Sequence, residues 1–73
     1  MSEHGIEIRT QEDVSRVLQQ LRGDRSYHEV TRAWPGNSTG AVYGWITGTR
    51  RPTVASLLRV LEAEGYTLVV APK

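Results

Sequence analysis

Cysteine is absent from this 73-residue chain, which excludes disulfides and any zinc site built on thiolates. It also lacks an apolar run approaching the ~18 residues that a membrane-spanning helix needs. The opening residues, Met1-Ser2-Glu3-His4-Gly5, have none of the basic-then-apolar grammar of a secretory signal. These absences make the cytoplasm the expected location. A further absence is local: no acidic residue falls between Val30 and Leu61, whereas Arg32, Arg50, Arg51 and Arg59 all do. The acids lie on either side, Glu3, Glu7, Glu12, Asp13, Asp24 and Glu29 before the gap, Glu62 and Glu64 after it. The formal net charge of +1 therefore conceals one cationic sector. Such a sector attracts a polyanion even when the whole molecule is nearly neutral.

Catalytic groupings are missing as well. There are two histidines, His4 near the start and His28 beside Glu29. No serine sits in a nucleophile elbow and no glycine-rich phosphate loop follows a strand. Adjacent ligands on a helix point different ways, so His28 and Glu29 do not make a metal site. No enzyme activity, metal or cofactor is expected.

What is present is a periodic, helix-forming pattern in a single domain spanning 1–73. A chain this short buries only about 60% of its unfolded surface, so close helix packing or a partner chain must stabilise it. Thr10 caps a first helix, with Asp13 three residues on, and Val14, Val17, Leu18 and Leu21 give it one apolar stripe. Ser26-Tyr27-His28-Glu29 is a capping box opening a second helix through Trp34, with Val30, Ala33 and Trp34 inward. Pro35-Gly36-Asn37 stops it. Asn37 or Ser38 caps a third helix, which ends at Gly48 with Val42, Trp45 and Ile46 inward. Thr53 caps a fourth, with Val54, Leu57, Leu58 and Leu61 as its stripe and Gly65 as its C-cap. Trp34 and Trp45 keep helical spacing with Val30 and Val42, which makes them core residues rather than stacking platforms for bases. Tyr66-Thr67-Leu68-Val69-Val70 is β-branched and aromatic and reads as a strand over 66–71. Ile6-Glu7-Ile8 is a weaker second one.

Two short helices joined by a tight turn, with a helix before and after, form the supersecondary pattern of DNA-binding helix-turn-helix domains, here over 26–48. The second helix of such a pair needs an apolar inner face and small or polar outer residues. The segment from Ser38 to Thr47 meets both conditions. Asn37, Ser38, Thr39, Gly40, Tyr43 and Gly44 are the expected base-reading positions. Tyr27, His28, Arg32, Thr49, Arg50 and Arg51 are the expected phosphate contacts, which set register without reading sequence. Gly40 and Gly44 each cost a helix about 0.8–1 kcal/mol relative to alanine. Three readings stand for them: close approach to bases, close packing against a neighbouring helix, or mere drift without a structural reason.

The residues that carry these readings resemble the Cro and phage-repressor class of helix-turn-helix proteins, the XRE family. The matching pieces are the helix Ser26 to Trp34, Trp45-Ile46-Thr47-Gly48, and Arg50-Arg51-Pro52-Thr53-Val54. Tyr27 and Thr31 stand where that family often has glutamine and alanine. The run from Leu57 to Val70 resembles the end of HipB-like antitoxins and related small repressors. The resemblance implies a mainly α, four- to five-helix, lambda-repressor-like domain with a short C-terminal strand used for dimerisation. It also implies a sequence-specific transcriptional regulator acting on double-stranded DNA, nucleoid-associated when bound. The alternative is an antitoxin-type module that neutralises a partner toxin and regulates its own operon.

A strand after the last helix exposes unpaired edge amides. Pairing Tyr66, Thr67, Leu68, Val69 and Val70 with the same residues of a second copy satisfies them. A two-fold dimer also sets two reading helices about 34 Å apart, matching a palindromic operator. Intrachain pairing with residues 6–8 is the alternative.

Overall fold

The computed structural model describes residues 7–34, 36–69 and 72, and among them the chain forms four helices and no strand. Each helix begins where a hydroxyl takes up an amide that the helix itself leaves without a partner. α1 (Gln11–Arg22) starts behind Thr10, whose Oγ1 accepts from the Asp13 N–H at 3.3 Å. The Asp13 carboxylate accepts in return from the N–H groups of Arg9 and Thr10, at 2.9 and 3.1 Å. α2 (Tyr27–Ala33) repeats the device: the Glu29 N–H donates to Ser26 Oγ at 3.1 Å, and the Ser26 N–H donates to Glu29 Oε1 at 2.7 Å. α3 (Thr39–Thr47) is capped by Ser38 and α4 (Val54–Ala63) by Thr53. None of these helices is long and apolar enough to cross a membrane.

These caps fix where the helices stop turning as well as where they start. Trp34 precedes a proline and leaves the helical region at φ −104°, ψ 91°, as the steric conflict at that position requires. The helix therefore ends at Ala33, one residue earlier than expected, and Ala33 faces solvent rather than the core. Gly48 closes α3 in the left-handed conformation at φ 89°, where a Cβ would be strained. At the end of α4 the cap is Glu64, and Gly65 is the left-handed residue beyond it, with φ 84°.

The core is built from Leu18 of α1, Val30 and Trp34 at α2, Val42, Trp45 and Ile46 of α3, and Val60 of α4. Val14, Leu21, Tyr27, Ala41 and Leu57 pack around it. Both tryptophans are thus internal. Of the stripe that its spacing suggests, α4 turns Leu57 and Leu61 inward but not Val54 or Leu58. Val60 and Leu61 are buried and Leu57 half-buried, while Val54 is 67% exposed and Leu58 42%. Apolar residues at 54, 57, 58, 60 and 61 support two overlapping stripes, and the stripe that meets the other helices wins.

Three long-range hydrogen bonds hold the helices in register. Ser15 Oγ donates to the Trp45 carbonyl at 2.8 Å, tying α1 to α3. Glu64 Oε2 accepts from Trp34 Nε1 at 2.8 Å and from Arg25 Nη2 at 3.0 Å. One oxygen thereby joins the end of α4 to α2 and to the connection ahead of it. Arg25 thus pairs with Glu64 rather than with its sequence neighbours Asp24 or Glu29. Residues 66–69 follow α4 without strand structure, and Glu7 and Ile8, ahead of α1, have none either. Ile6, Val70 and Ala71, which the expected strands also included, lie outside the described residues.

Candidate nucleic-acid interface

The outward side of α3 is set by its inward one. With Val42, Trp45 and Ile46 buried, Gly40, Tyr43 and Thr47 face solvent and Thr39 is half-exposed beside them. These residues follow one another at helical spacing. Thr47 was not among the expected readers, although its position four residues after Tyr43 was signal enough. Its Oγ1 donates to the Tyr43 carbonyl at 2.8 Å and lies 3.3 Å from Thr49 Oγ1. None of these side chains carries a formal charge.

Gly40 and Gly44 part company. Around Gly40 nothing lies within 4 Å of the place a Cβ would occupy. Gly44 is buried, and a Cβ there would stand 2.5, 2.6 and 2.9 Å from Cδ, Cγ and Cβ of Arg50. The Gly44 carbonyl also receives the N–H groups of Gly48, Thr49 and Arg50, at 2.9, 2.9 and 3.1 Å. Gly44 is therefore not an outward reading position. It is a seat for the Arg50 stem, and the turn after α3 folds back onto it.

The residues ahead of α3 are partly committed to structure. Asn37 Nδ2 donates to the Trp34 carbonyl at 3.1 Å, closing the turn between α2 and α3. Ser38 Oγ accepts the Ala41 N–H at 3.1 Å, which leaves the hydroxyl its own hydrogen to donate. On α2, His28 and Arg32 are exposed. Tyr27 is half-buried, with its ring between two neighbours. The Arg22 guanidinium carbon lies 4.4 Å from its centroid, and the Tyr43 ring meets it edge to face at 4.9 Å and 71°. Nothing in the sequence pattern announced this column, because its members come from three different helices.

Charge is distributed unevenly. Arg9, Arg16 and Arg25 pair with Glu7, Asp13 and Glu64. Arg32, Arg50, Arg51 and Arg59 are exposed, and none of the four has an ion-pair partner among the described residues. One of them precedes α3 on α2, and two follow it directly. Capping also leaves its mark on two carboxyls. Chiefly through the hydrogen bond from the Arg9 amide, and despite desolvation, Asp13 sits below its ordinary pKa. The Ser26 amide, foremost, does the same for Glu29.

The arrangement offers an uncharged helix face, with exposed, unpaired arginines on the helix before it and directly after it along the chain. In comparisons with family models, with curated proteins and with solved structures, nothing matches this chain.

Proposed function

We propose that this protein is a sequence-specific double-stranded DNA-binding protein of the helix-turn-helix kind, a dimeric transcriptional regulator that lays α3 in the major groove. One observation carries the reading: the four arginines of the acid-free sector are exposed and have no ion-pair partner among the described residues, and three of them, Arg32, Arg50 and Arg51, flank α3 along the chain. Guanidinium groups not neutralised within the molecule are available to phosphates, and each phosphate so neutralised releases counterions. Thr39, Gly40, Tyr43 and Thr47 then meet base edges. The XRE-type resemblance of the motif supports the same assignment, as does its placement in a four-helix domain. The reading locates the protein in the cytoplasm, on the nucleoid when bound.

Exposed apolar residues of the C-terminal segment favour a partner chain. Val54, Leu58, Tyr66, Leu68 and Val69 are between 42% and 73% exposed, and Leu58, Tyr66 and Leu68 line one shallow groove, apolar surface of the kind that a partner covers. A second copy pairing through residues 66–70 covers them and gives the two-fold symmetry of a palindromic site. The antitoxin-type reading places a toxin on that surface instead.

Titration with duplexes drawn from a random library, at several salt concentrations, tests the proposal. The expected result is a preferred duplex bound about 10³-fold more tightly than random sequence, with affinity falling steeply as salt rises. Replacing Arg50 and Arg51 by alanine weakens binding to all duplexes alike, whereas Thr39→Ala relaxes one position. Wild-type affinity in both variants would place the binding face elsewhere.

A further inference from the structure

The Tyr43 ring is held from behind by a column that starts on another helix. Arg22, the last residue of α1, donates through Nη1 to the Arg25 carbonyl at 2.8 Å and lays its guanidinium 4.4 Å from the Tyr27 centroid. Tyr27, the first residue of α2, meets Tyr43 in the middle of α3 edge to face at 4.9 Å. We propose that Tyr43 is the residue that reads base identity on α3, by contact with a thymine methyl group, and that Tyr27 and Arg22 are its positioning residues. The inference rests on the DNA-binding reading of the same face.

A tyrosine on an exposed helical position ordinarily samples several rotamers, and a contact that must be found anew on each binding event discriminates poorly. Here the ring has one preferred seat. Edge-to-face aromatic pairing is directional, and the cation over the far ring fixes that ring in turn. Tyr43 is nevertheless 51% exposed, so the braced ring still presents a large surface outward. Helical side chains lean toward the N-terminus, which carries Tyr43 over the turn containing Thr39 and Gly40. At Gly40 the space where a side chain would begin is open to 4 Å. An uncharged aromatic surface beside an open step suits a small apolar projection better than an amide or a guanine edge. In the major groove that projection is the C5-methyl of thymine.

This role differs from the one expected for Tyr27, a phosphate contact through its hydroxyl. Two variants separate the two. Tyr27→Phe keeps the ring and removes the hydroxyl, whereas Tyr27→Leu removes the brace. Arg22→Met perturbs the brace from outside and guards against a Leu variant that folds poorly.

The test uses the full chain, a duplex selected from a random library, and a set in which each thymine is replaced by uracil in turn. Burying one methyl group is worth about fourfold in affinity, so one thymine in each half-site should show a loss of that size in the wild type. Tyr43→Ala should become indifferent to that replacement and keep its response to salt. Tyr27→Phe should behave as wild type, and Tyr27→Leu and Arg22→Met should blunt the same position. In the free protein, ring-current-shifted Tyr43 resonances should survive Tyr27→Phe and vanish in Tyr27→Leu. If Tyr27→Phe weakens every duplex alike, Tyr27 is a phosphate contact and the proposal is wrong. A preferred duplex indifferent to every uracil also overturns it while leaving DNA binding intact. The absence of any preferred duplex removes the DNA-binding reading itself, and this proposal with it.

Discussion

At the C-terminal end of α3, Gly44 lies under the stem of Arg50 and its carbonyl gathers three amides; at the N-terminal end, Gly40 has nothing within 4 Å of where a side chain would begin. Both glycines cost the helix the same, about 0.8–1 kcal/mol relative to alanine. Only at Gly44 does the folded chain gain something from the missing Cβ. The difference separates a glycine that the fold requires from one that it does not. It also divides the molecule into a closed part, where polar groups satisfy one another, and an open part along Thr39 to Tyr43.

The closed part should resist substitution most. Glu64→Ala strands the buried Trp34 Nε1–H, an omission that costs about 1–3 kcal/mol, and removes the Arg25 pair as well. A drop in the urea midpoint toward the upper end of that range is expected, and an unchanged midpoint would show that water replaces the carboxylate. Gly44→Ala comes next. Overpacking costs about 1–3 kcal/mol against the ~1 kcal/mol that alanine contributes to a helix, for a net loss of up to about 2 kcal/mol. Combining it with Arg50→Gly removes all three crowding atoms, so in that background the cost of Gly44→Ala should disappear and give way to a gain of up to about 1 kcal/mol. The comparison breaks if it does not.

Gly40→Ala should act in the opposite direction, stabilising the free protein by up to about 1 kcal/mol while weakening DNA binding. A loss of stability there would mean that the open space is occupied in solution. The smallest effect concerns the caps. The folded-state pKa of Glu29 lies below its ordinary value of 4.5, so its contribution is fully present above that value and fades as pH falls through the lower, folded one. Asp13 behaves the same way. Urea midpoints measured from neutral into acid solution should therefore fall less steeply in Glu29→Gln than in the wild type.

Local chemistry was readable and packing was not. The capping boxes at Thr10 and Ser26, the hydroxyl caps at Ser38 and Thr53 and the left-handed Gly48 all follow from residue types at fixed offsets, so the four helices emerged close to their true bounds. Which side of α4 goes inward depends on its neighbours. Its two overlapping apolar stripes gave no means of preferring Val60 over Leu58. Ala33 was misplaced because the helix stops one residue sooner than periodicity suggests. For the candidate site, the exposure of Gly40 and Tyr43 follows from the burial of Val42, Trp45 and Ile46. The burial of Gly44 depends on a side chain from the loop beyond α3, and the Arg22–Tyr27–Tyr43 column on three helices meeting. No spacing rule reports such encounters.

The single carboxylate oxygen shared by Trp34 and Arg25 has a consequence for anyone wishing to transplant the motif. Trp34 and Glu64 are 30 positions apart and Arg25 and Glu64 are 39, so the acceptor that satisfies the indole closing the second helix arrives from the far end of the chain. A synthetic peptide covering 26–48 would hold two helices of 7 and 9 residues, below the ~12–15 at which isolated helices become even marginal in water, and an indole with no acceptor. Grafted alone into another scaffold, the helix pair would leave the fastening of α2 behind.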